Sequence, residues 1–97
     1  MASAPVQWTL HAVQEALADG LDQQDVEDAP EHTAEVVEDY PHDIRGPSCL
    51  ALAFLGDGRP VHAVIGCGRT PLVMVTVYRP DLAATKWSSD FRRRMQP

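Results

Sequence analysis

The stretch LVMVTVY at residues 72–78 decides the fold, because its valines, threonine and tyrosine make it the most β-prone run in the chain. Three further extended segments precede it, at residues 35–40, 48–55 and 59–66. Residues 56–58, Gly-Asp-Gly, are a strong hairpin signal between two of these segments, since both glycines accept a positive φ. Strands joined in sequence by short turns predict an antiparallel four-stranded sheet.

The N-terminal part of the chain has helical rather than strand spacing. Apolar residues at positions 6, 10, 13 and 17 predict a first helix over Val6 to Leu17, with these residues on its buried face. Gly20 is suited to the left-handed position that ends this helix, and Asp22 is a typical N-cap for a second helix. Pro30 stops the second helix and leaves residues 31–34 as a connection. The prediction is an α+β domain in which two N-terminal helices pack on one face of the antiparallel four-stranded sheet.

Side-chain size predicts which face of the sheet meets the helices. The strand at residues 48–55 alternates between large and small side chains, and we expect the large set to pack on the helices. The large set is Leu50, Leu52 and Phe54, and the small set is Cys49, Ala51 and Ala53. Alternation places His62 on the second face, with little bulk around it and within reach of Thr76 or Tyr78 on the last strand. We expect the short C-terminal segment around Trp87 to cover this second face, and a second copy of the chain is the alternative.

The length of the chain supports one domain. A second hydrophobic core within 97 residues would leave each half too small to offset its ordering entropy, so residues 1–97 are predicted to form a single domain. Residues 1–5 and 92–97 are expected to be flexible tails, the second because it begins with three arginines. The sequence has neither a leader-like start nor an apolar run approaching the roughly 20 residues of a membrane span. It predicts a cytoplasmic protein, a monomer or a homodimer, without a membrane partner.

Charge is distributed unevenly along the chain. Residues 1–48 contain eleven acidic residues against Arg45 alone, a net charge of −10, whereas residues 49–97 carry a net charge of +4. The overall charge of −6 argues against non-specific nucleic-acid binding by the whole surface, because phosphate affinity depends on Lys and Arg. Any RNA contact is therefore predicted on the basic sheet half, whereas the acidic helical half favours a basic protein partner.

The cysteines and histidines do not predict metal or cofactor chemistry. Four histidines and two cysteines show none of the close paired spacings of zinc ligands, so neither a metal site nor a cofactor is predicted. The chain also lacks a phosphate-binding glycine loop and a dinucleotide fingerprint. Cys49 and Cys67 do not form the pattern of a disulfide framework, and we expect both to be reduced and buried.

Several short motifs together resemble the domain-of-unknown-function 4258 family of bacterial proteins. They are VVEDYP at residues 36–41, Pro47-Ser48, GRPVHAV at residues 58–64, and TVYRPD at residues 76–81 with Trp87. The resemblance begins at His11-Ala12 and implies a compact helix-helix-sheet domain similar to the RelE and BrnT group of toxin-like folds, some of which are endoribonucleases. Members of the family commonly carry basic residues three and seven positions after the His-Ala pair, where this chain has Glu15 and Asp19. Because two carboxylates repel a phosphate, the resemblance implies a weak or inactivated ribonuclease site.

Metal-independent RNA cleavage requires a general base, a proton donor and a cation beside the phosphate. The candidates for catalysis are His62, Tyr78 and His11, and the candidates for substrate binding are Arg59, Arg79 and Lys86. For both histidines the alternative is a structural role, with the imidazole hydrogen-bonded inside the fold. Three functions stay open: a metal-independent endoribonuclease, a non-catalytic protein-binding module with an antitoxin-like partner, and a small-ligand binder that uses the face of His62.

Overall fold

The structure, a computed structural model, describes residues 6–29, 34–43, 46–68 and 71–95. The strands are β1 (Val6–Trp8), β2 (Glu35–Tyr40), β3 (Ser48–Phe54), β4 (Pro60–Gly66) and β5 (Leu72–Tyr78). The helices are α1 (Leu10–Ala18) and α2 (Gln23–Asp28), and a 3-10 helix (Pro80–Lys86) follows β5. The α+β class and the two N-terminal helices are therefore confirmed. Among the described residues, no helix combines the length and the apolar character needed to cross a membrane.

The sheet has five strands in the order β1-β5-β4-β3-β2. Strands β2 to β5 form the predicted antiparallel meander. The prediction of four antiparallel strands is incomplete, because β1 pairs with β5 in parallel and places Val6 opposite Leu72. Val6 fits a helical spacing, but α1 starts later, where the Thr9 hydroxyl accepts a hydrogen bond from the Ala12 amide as an N-cap.

Helix α1 buries a different face from the predicted one. Its buried residues are Ala12 and Ala16, whereas Leu10 and Leu17 are each 73% exposed. The expectation that the residues at positions 6, 10, 13 and 17 form the buried face is therefore wrong. Hydrophobic spacing alone did not predict how this helix is rotated on the sheet.

Polar side chains of α1 and its two caps orient the helix on the sheet. The Thr9 hydroxyl donates to the Val75 carbonyl at 3.1 Å, the Val77 amide donates to Glu15 Oε1 at 3.2 Å, and the Arg79 amide donates to Asp19 Oδ2 at 2.9 Å. These bonds hold α1 close to β5, so that only small side chains fit between them. The alanines of α1 meet that requirement and its leucines do not.

The predicted turns around the helices are confirmed. Gly20 has a φ of 70°, the left-handed conformation expected after α1. Asp22 caps α2 by accepting a hydrogen bond from the Asp25 amide. Of the two hairpin glycines between β3 and β4, only Gly58 has a positive φ, at 91°. The predicted connection at residues 31–34 lies outside the described residues except for Ala34.

The two faces of the sheet carry side chains of different size. The helix face packs on α1 and α2 through Ala53, Val61, Ala63, Met74 and Val77. The opposite face, which we call the tail face, carries Leu50, Leu52, His62 and Tyr78, since these residues share one side of the paired strands. The prediction that the large side chains of β3 meet the helices is therefore wrong. On β3 the helix face therefore receives the small set, Cys49, Ala51 and Ala53.

Residues 80–95 cover the face opposite the helices, as predicted for the C-terminal segment. That face carries the large side chains of β3, so the expectation of little bulk around His62 is wrong. Trp87 is 4% exposed, and its ring centroid lies 4.3 Å from that of His62. Two ion pairs attach the end of the segment to β2, Arg92 to Glu35 at 2.9 Å and Arg94 to Glu38 at 2.7 Å. Part of the predicted tail at residues 92–97 thus contacts the sheet. Residues 1–5, 96 and 97 lie outside the described part, and the flexibility of both tails stays a prediction.

Candidate functional site

His62 and Tyr78 meet on the tail face as the hairpin register predicted. They are directly opposite residues of β4 and β5, and His62 Nδ1 lies 3.1 Å from the Tyr78 hydroxyl. His62 Nε2 lies 2.8 Å from the Phe91 carbonyl. Because a carbonyl oxygen only accepts, Nε2 must carry the proton, and Nδ1 accepts the hydrogen bond that Tyr78 donates. Both nitrogens of the imidazole are therefore used inside the fold.

The surroundings of this pair keep both groups uncharged. His62 is 0% exposed, and burial lowers its pKa below the ordinary value, so the imidazole is neutral at pH 7. Burial raises the pKa of Tyr78 to about 12, so its phenol keeps the proton. A neutral imidazole that is closed off from solvent cannot take a proton from a substrate hydroxyl without an opening of the structure. The geometry supports the structural alternative for His62.

Phe91 bonds to His62 from an unusual backbone conformation. Its φ is 64°, in the left-handed region that an aromatic residue rarely adopts. A turn in which the Phe91 amide donates to the Ser88 carbonyl at 2.9 Å holds this conformation. Residues in such conformations mark positions that the surrounding contacts determine strongly. The end of the C-terminal segment is thus fitted to the imidazole of His62.

His11 lies apart from the His62 pair, on α1. Its side chain is 64% exposed, and Nε2 lies 3.1 Å from Glu15 Oε1. The carboxylate of Glu15 also accepts a hydrogen bond from the Val77 amide of β5, so His11 lies on the solvent side of that contact. The structure does not bring the three candidate catalytic side chains together, and the catalytic assignment stays a prediction.

Two of the three candidate cations, Arg59 and Arg79, lie beside the ends of strands and have acidic partners. Arg59 Nε lies 2.8 Å from Asp57, and its Nη1 donates to the Gly20 carbonyl at 3.1 Å. Arg79 Nη2 lies 2.7 Å from Asp81. Lys86 is exposed at the end of the 3-10 helix. Both arginines would have to leave a carboxylate before they could bind a phosphate.

Arg94 belongs to a polar network that the sequence analysis missed. It pairs with Glu38, which also accepts a hydrogen bond from the Tyr40 hydroxyl, and its guanidinium carbon lies 4.7 Å from the centre of the Trp87 ring. Burial by itself would raise the pKa of Glu38, but the bonds from Arg94 and Tyr40 outweigh it and leave that pKa below the ordinary value. One signal for this network was available in the sequence. Glu38 and Tyr40 are two positions apart on β2, and Arg92 and Arg94 are two positions apart near the C-terminus.

A cleft of about 380 Å³ opens at the other end of the tail face. Val64, Gly66, Val75 and Thr9 line it, together with Ser48. Ser48 is buried, and its hydroxyl makes no hydrogen bond to any residue that the structure describes. A buried hydroxyl without a partner is uncommon, and a bound molecule can satisfy it. The cleft is a candidate place for the ligand of the small-ligand alternative, but His62 is not part of its lining.

The described residues offer no metal site of three or more His, Cys, Asp or Glu side chains. His32 lies outside the described part of the chain. Cys49 and Cys67 are both free in the structure, and their reduced state stays a prediction. Cys49 is half-buried and Cys67 is exposed, so the expectation that both are buried is wrong for Cys67. Cys67 lies one residue beyond the end of β4 and is exposed there.

Two helices on one face of a five-stranded mixed sheet, with the other face covered by the C-terminal segment, define a small α+β domain. Residues 8–79 match the family described as a domain of unknown function (DUF4258), and the chain belongs to that family. No curated protein and no solved structure matches the chain. The similarity to RelE and BrnT toxins stays an implication of the sequence motifs.

Proposed function

We propose that this domain is a non-catalytic, protein-binding member of its family and that α1 binds the partner. The observation that carries the proposal is the apolar stripe on the outer face of α1, formed by Leu10, Val13 and Leu17. Both leucines are largely exposed, and Val13 between them is half-buried. Residues three and seven positions apart lie on the same side of a helix, so the stripe spans about 10 Å along its axis.

The net charge of the helical part of the chain indicates the chemistry of the partner. Residues 6–29 contain six acidic residues and neither Lys nor Arg. A basic amphipathic segment would bury its apolar side against the stripe and place its cations beside the carboxylates. A second copy of this chain would bring the same acidic residues and repel. The proposed occupant is therefore a different, basic protein in the cytoplasm, as in a toxin-antitoxin-like pair.

The arrangement of the candidate catalytic residues argues against the endoribonuclease prediction. His62 is neutral and enclosed, and Arg59 and Arg79 each bond to a carboxylate. Glu15 and Asp19 accept hydrogen bonds from the main chain of β5 and the residue after it, which gives these two acids a structural role. RNA cleavage would need a base, a donor and a free cation at one place.

The proposal is tested with a synthetic helical peptide that carries leucines on one side and lysines on the other. We expect the peptide to bind the wild-type domain in fluorescence anisotropy, and a peptide with Glu in place of Lys to bind far less. The variant Leu10→Ser/Leu17→Ser should bind at least about tenfold more weakly, because burial of one leucine contributes roughly 1.5–3 kcal/mol. Leu82→Ser, at an exposed leucine of the 3-10 helix, is the matched control and should bind normally.

Two results would overturn this proposal. Equal affinity of the peptide for the wild type and the double variant would show that the stripe does not bind the partner. Cleavage of a labelled RNA by the purified domain in the presence of EDTA would show that the domain is a ribonuclease after all. In that case His62→Gln, which keeps hydrogen bonding and removes the proton-transfer group, should abolish cleavage if His62 is catalytic.

The cleft at Ser48 supports a second candidate function, the binding of a small uncharged molecule with an apolar part and a hydrogen-bonding group. Its size is within the usual range of ligand pockets, and valines supply the apolar contact. Ligand-observed NMR with small aliphatic amides tests it. Binding that Ser48→Ala weakens would support this function, whereas binding that ignores the substitution would exclude Ser48 as the recognition group.

A further inference from the structure

The two cysteines come together across the hairpin of β3 and β4. Cys49 of β3 lies directly opposite Ile65 of β4, and Cys67 follows two residues later on the same side of the strand. The Cys67 amide donates to the Pro47 carbonyl at 3.0 Å, so the hydrogen-bond ladder between the two strands continues to this position. Cys49 and Cys67 are therefore diagonal neighbours on one face of the sheet, although 18 positions separate them in the sequence.

The two thiols differ in their environment. Cys67 is exposed, and Cys49 beside it is half-buried. Burial is the main cause that raises the pKa of the Cys49 thiol, and the neighbouring Cys67 side chain adds to it. A dissolved reagent can reach Cys67 directly, whereas Cys49 is placed to react with whatever Cys67 has bound.

We propose that Cys49 and Cys67 form a thiol-disulfide exchange site, which a small-molecule disulfide such as glutathione disulfide converts into an intramolecular disulfide. The proposal concerns the opposite side of the sheet from the Ser48 hydroxyl and does not depend on the partner of α1. Glutathione disulfide supplies the oxidant, so the reaction needs no metal and no cofactor.

The exchange proceeds in two balanced steps. The Cys67 thiolate attacks one sulfur of glutathione disulfide, which forms a mixed disulfide and releases one glutathione thiolate. The Cys49 thiolate then attacks the Cys67 sulfur, which closes the protein disulfide and releases the second glutathione thiolate. The two protons lost by the cysteines end on the two glutathione thiols, and two electrons pass from the protein to the reagent. The second step should accelerate with rising pH, because Cys49 must lose its proton first.

The geometry indicates a reversible disulfide and not a structural one. Diagonal neighbours in an antiparallel pair have Cα atoms roughly 7–8 Å apart, whereas disulfides usually need about 4.4–6.8 Å. Closure must therefore draw the end of β4 toward β3, and the strain makes the bond easier to reduce. Pro47 and Gly68, the outer neighbours of this pair, line the Ser48 cleft, so closure should change the shape of its mouth.

The test is incubation of the full chain with glutathione disulfide, followed by intact-mass spectrometry and thiol titration. The expected result is the loss of two hydrogen atoms, no free thiol, and full reversal by dithiothreitol. Peptide mapping of the oxidised protein should recover Cys49 linked to Cys67. A wild-type protein that stops at the mixed disulfide, or that forms only disulfide-linked dimers, would overturn the proposal.

Two single variants separate the steps. Cys49→Ser should accumulate the mixed disulfide on Cys67, because the second thiol is missing. Cys67→Ser should react about tenfold more slowly than Cys49→Ser, since the remaining thiol is partly buried. Circular dichroism of both variants checks that they are folded. Equal reaction rates of the two variants would contradict the assigned order of attack.

Discussion

The helix face and the tail face are both buried, but by different kinds of contact. The helix face packs small aliphatic side chains against α1 and α2. The tail face adds to its leucines a buried imidazole, a tyrosine and a carboxylate, each held by hydrogen bonds from the C-terminal segment or a neighbouring strand. The contrast implies that the buried imidazole and the ion pair make the contribution of the tail face depend on pH and ionic strength in addition to packing.

The largest expected effect comes from the aromatic centre of the tail face. Trp87→Ala should lower the free energy of unfolding by about 3–5 kcal/mol, because it removes a buried ring that packs on His62. Urea denaturation followed by circular dichroism measures this change. Leu82→Ala, at an exposed position of the same segment, is the control. A cost below about 1 kcal/mol would mean that the segment is a loose cover and not part of the core.

A substitution on the helix face tests how tightly that face is packed. Ala63→Leu should destabilise the domain by about 1–3 kcal/mol, since Ala63 is buried in the core cluster that includes the alanines of α1. The same denaturation experiment reports the effect. Unchanged or increased stability would show that the helix face is not tightly packed.

Much of the sheet was predictable because β5 is dense in β-branched residues and turn residues separate the strands. Strands β2 and β5 have the bounds that the sequence predicted. Strand β1 was not predictable, because Val6 satisfies a helical spacing as well as a strand. The rotation of α1 was hidden for another reason. It depends on hydrogen bonds that the carboxylates of Glu15 and Asp19 accept from the amides of Val77 and Arg79. Hydrophobic spacing carries no information on such bonds.

The candidate site was predictable only where it follows strand register. The contact between His62 and Tyr78 follows from a hairpin between adjacent strands. The pairing of Arg94 with Glu38 joins residues 56 positions apart and depends on the path of an irregular segment. The local propensity of a segment holds no information on contacts between distant residues. The network of Arg94, Glu38 and Tyr40 therefore appeared only in the structure.

The pH dependence of stability separates the two faces further. The pKa of His62 is lowered by burial, so the unfolded chain binds a proton more readily than the folded one. Stability should therefore fall as the pH decreases below about 6.5, by at most about 1.4 kcal/mol per pH unit for this one group. His62→Gln should remove that slope in denaturation experiments between about pH 5 and 7. An unchanged slope would assign the effect to other groups.

The smallest expected effect concerns the ion pair at the end of the tail face. Arg94→Ala should cost about 1 kcal/mol or less, because the pair is partly exposed to solvent. The folded pKa of Glu38 is lowered, so its contribution is present above the ordinary carboxyl pKa and is lost as the pH falls through the folded value. The neighbouring Arg93→Ala is the matched control. If both variants respond equally to pH and salt, the pair with Glu38 contributes nothing specific.

The acidic side chains beside β5 also have a consequence for the solubility of the domain. Strand β1 covers only part of the outer edge of β5. Free amides on the rest of that edge would be a template on which a strand of another molecule could pair. The carboxylates of Glu15 and Asp19 accept hydrogen bonds from the amides of Val77 and Arg79. These two amides are therefore not available to an incoming strand. Glu15 and Asp19 thus protect this edge of the sheet from pairing with a strand of another molecule.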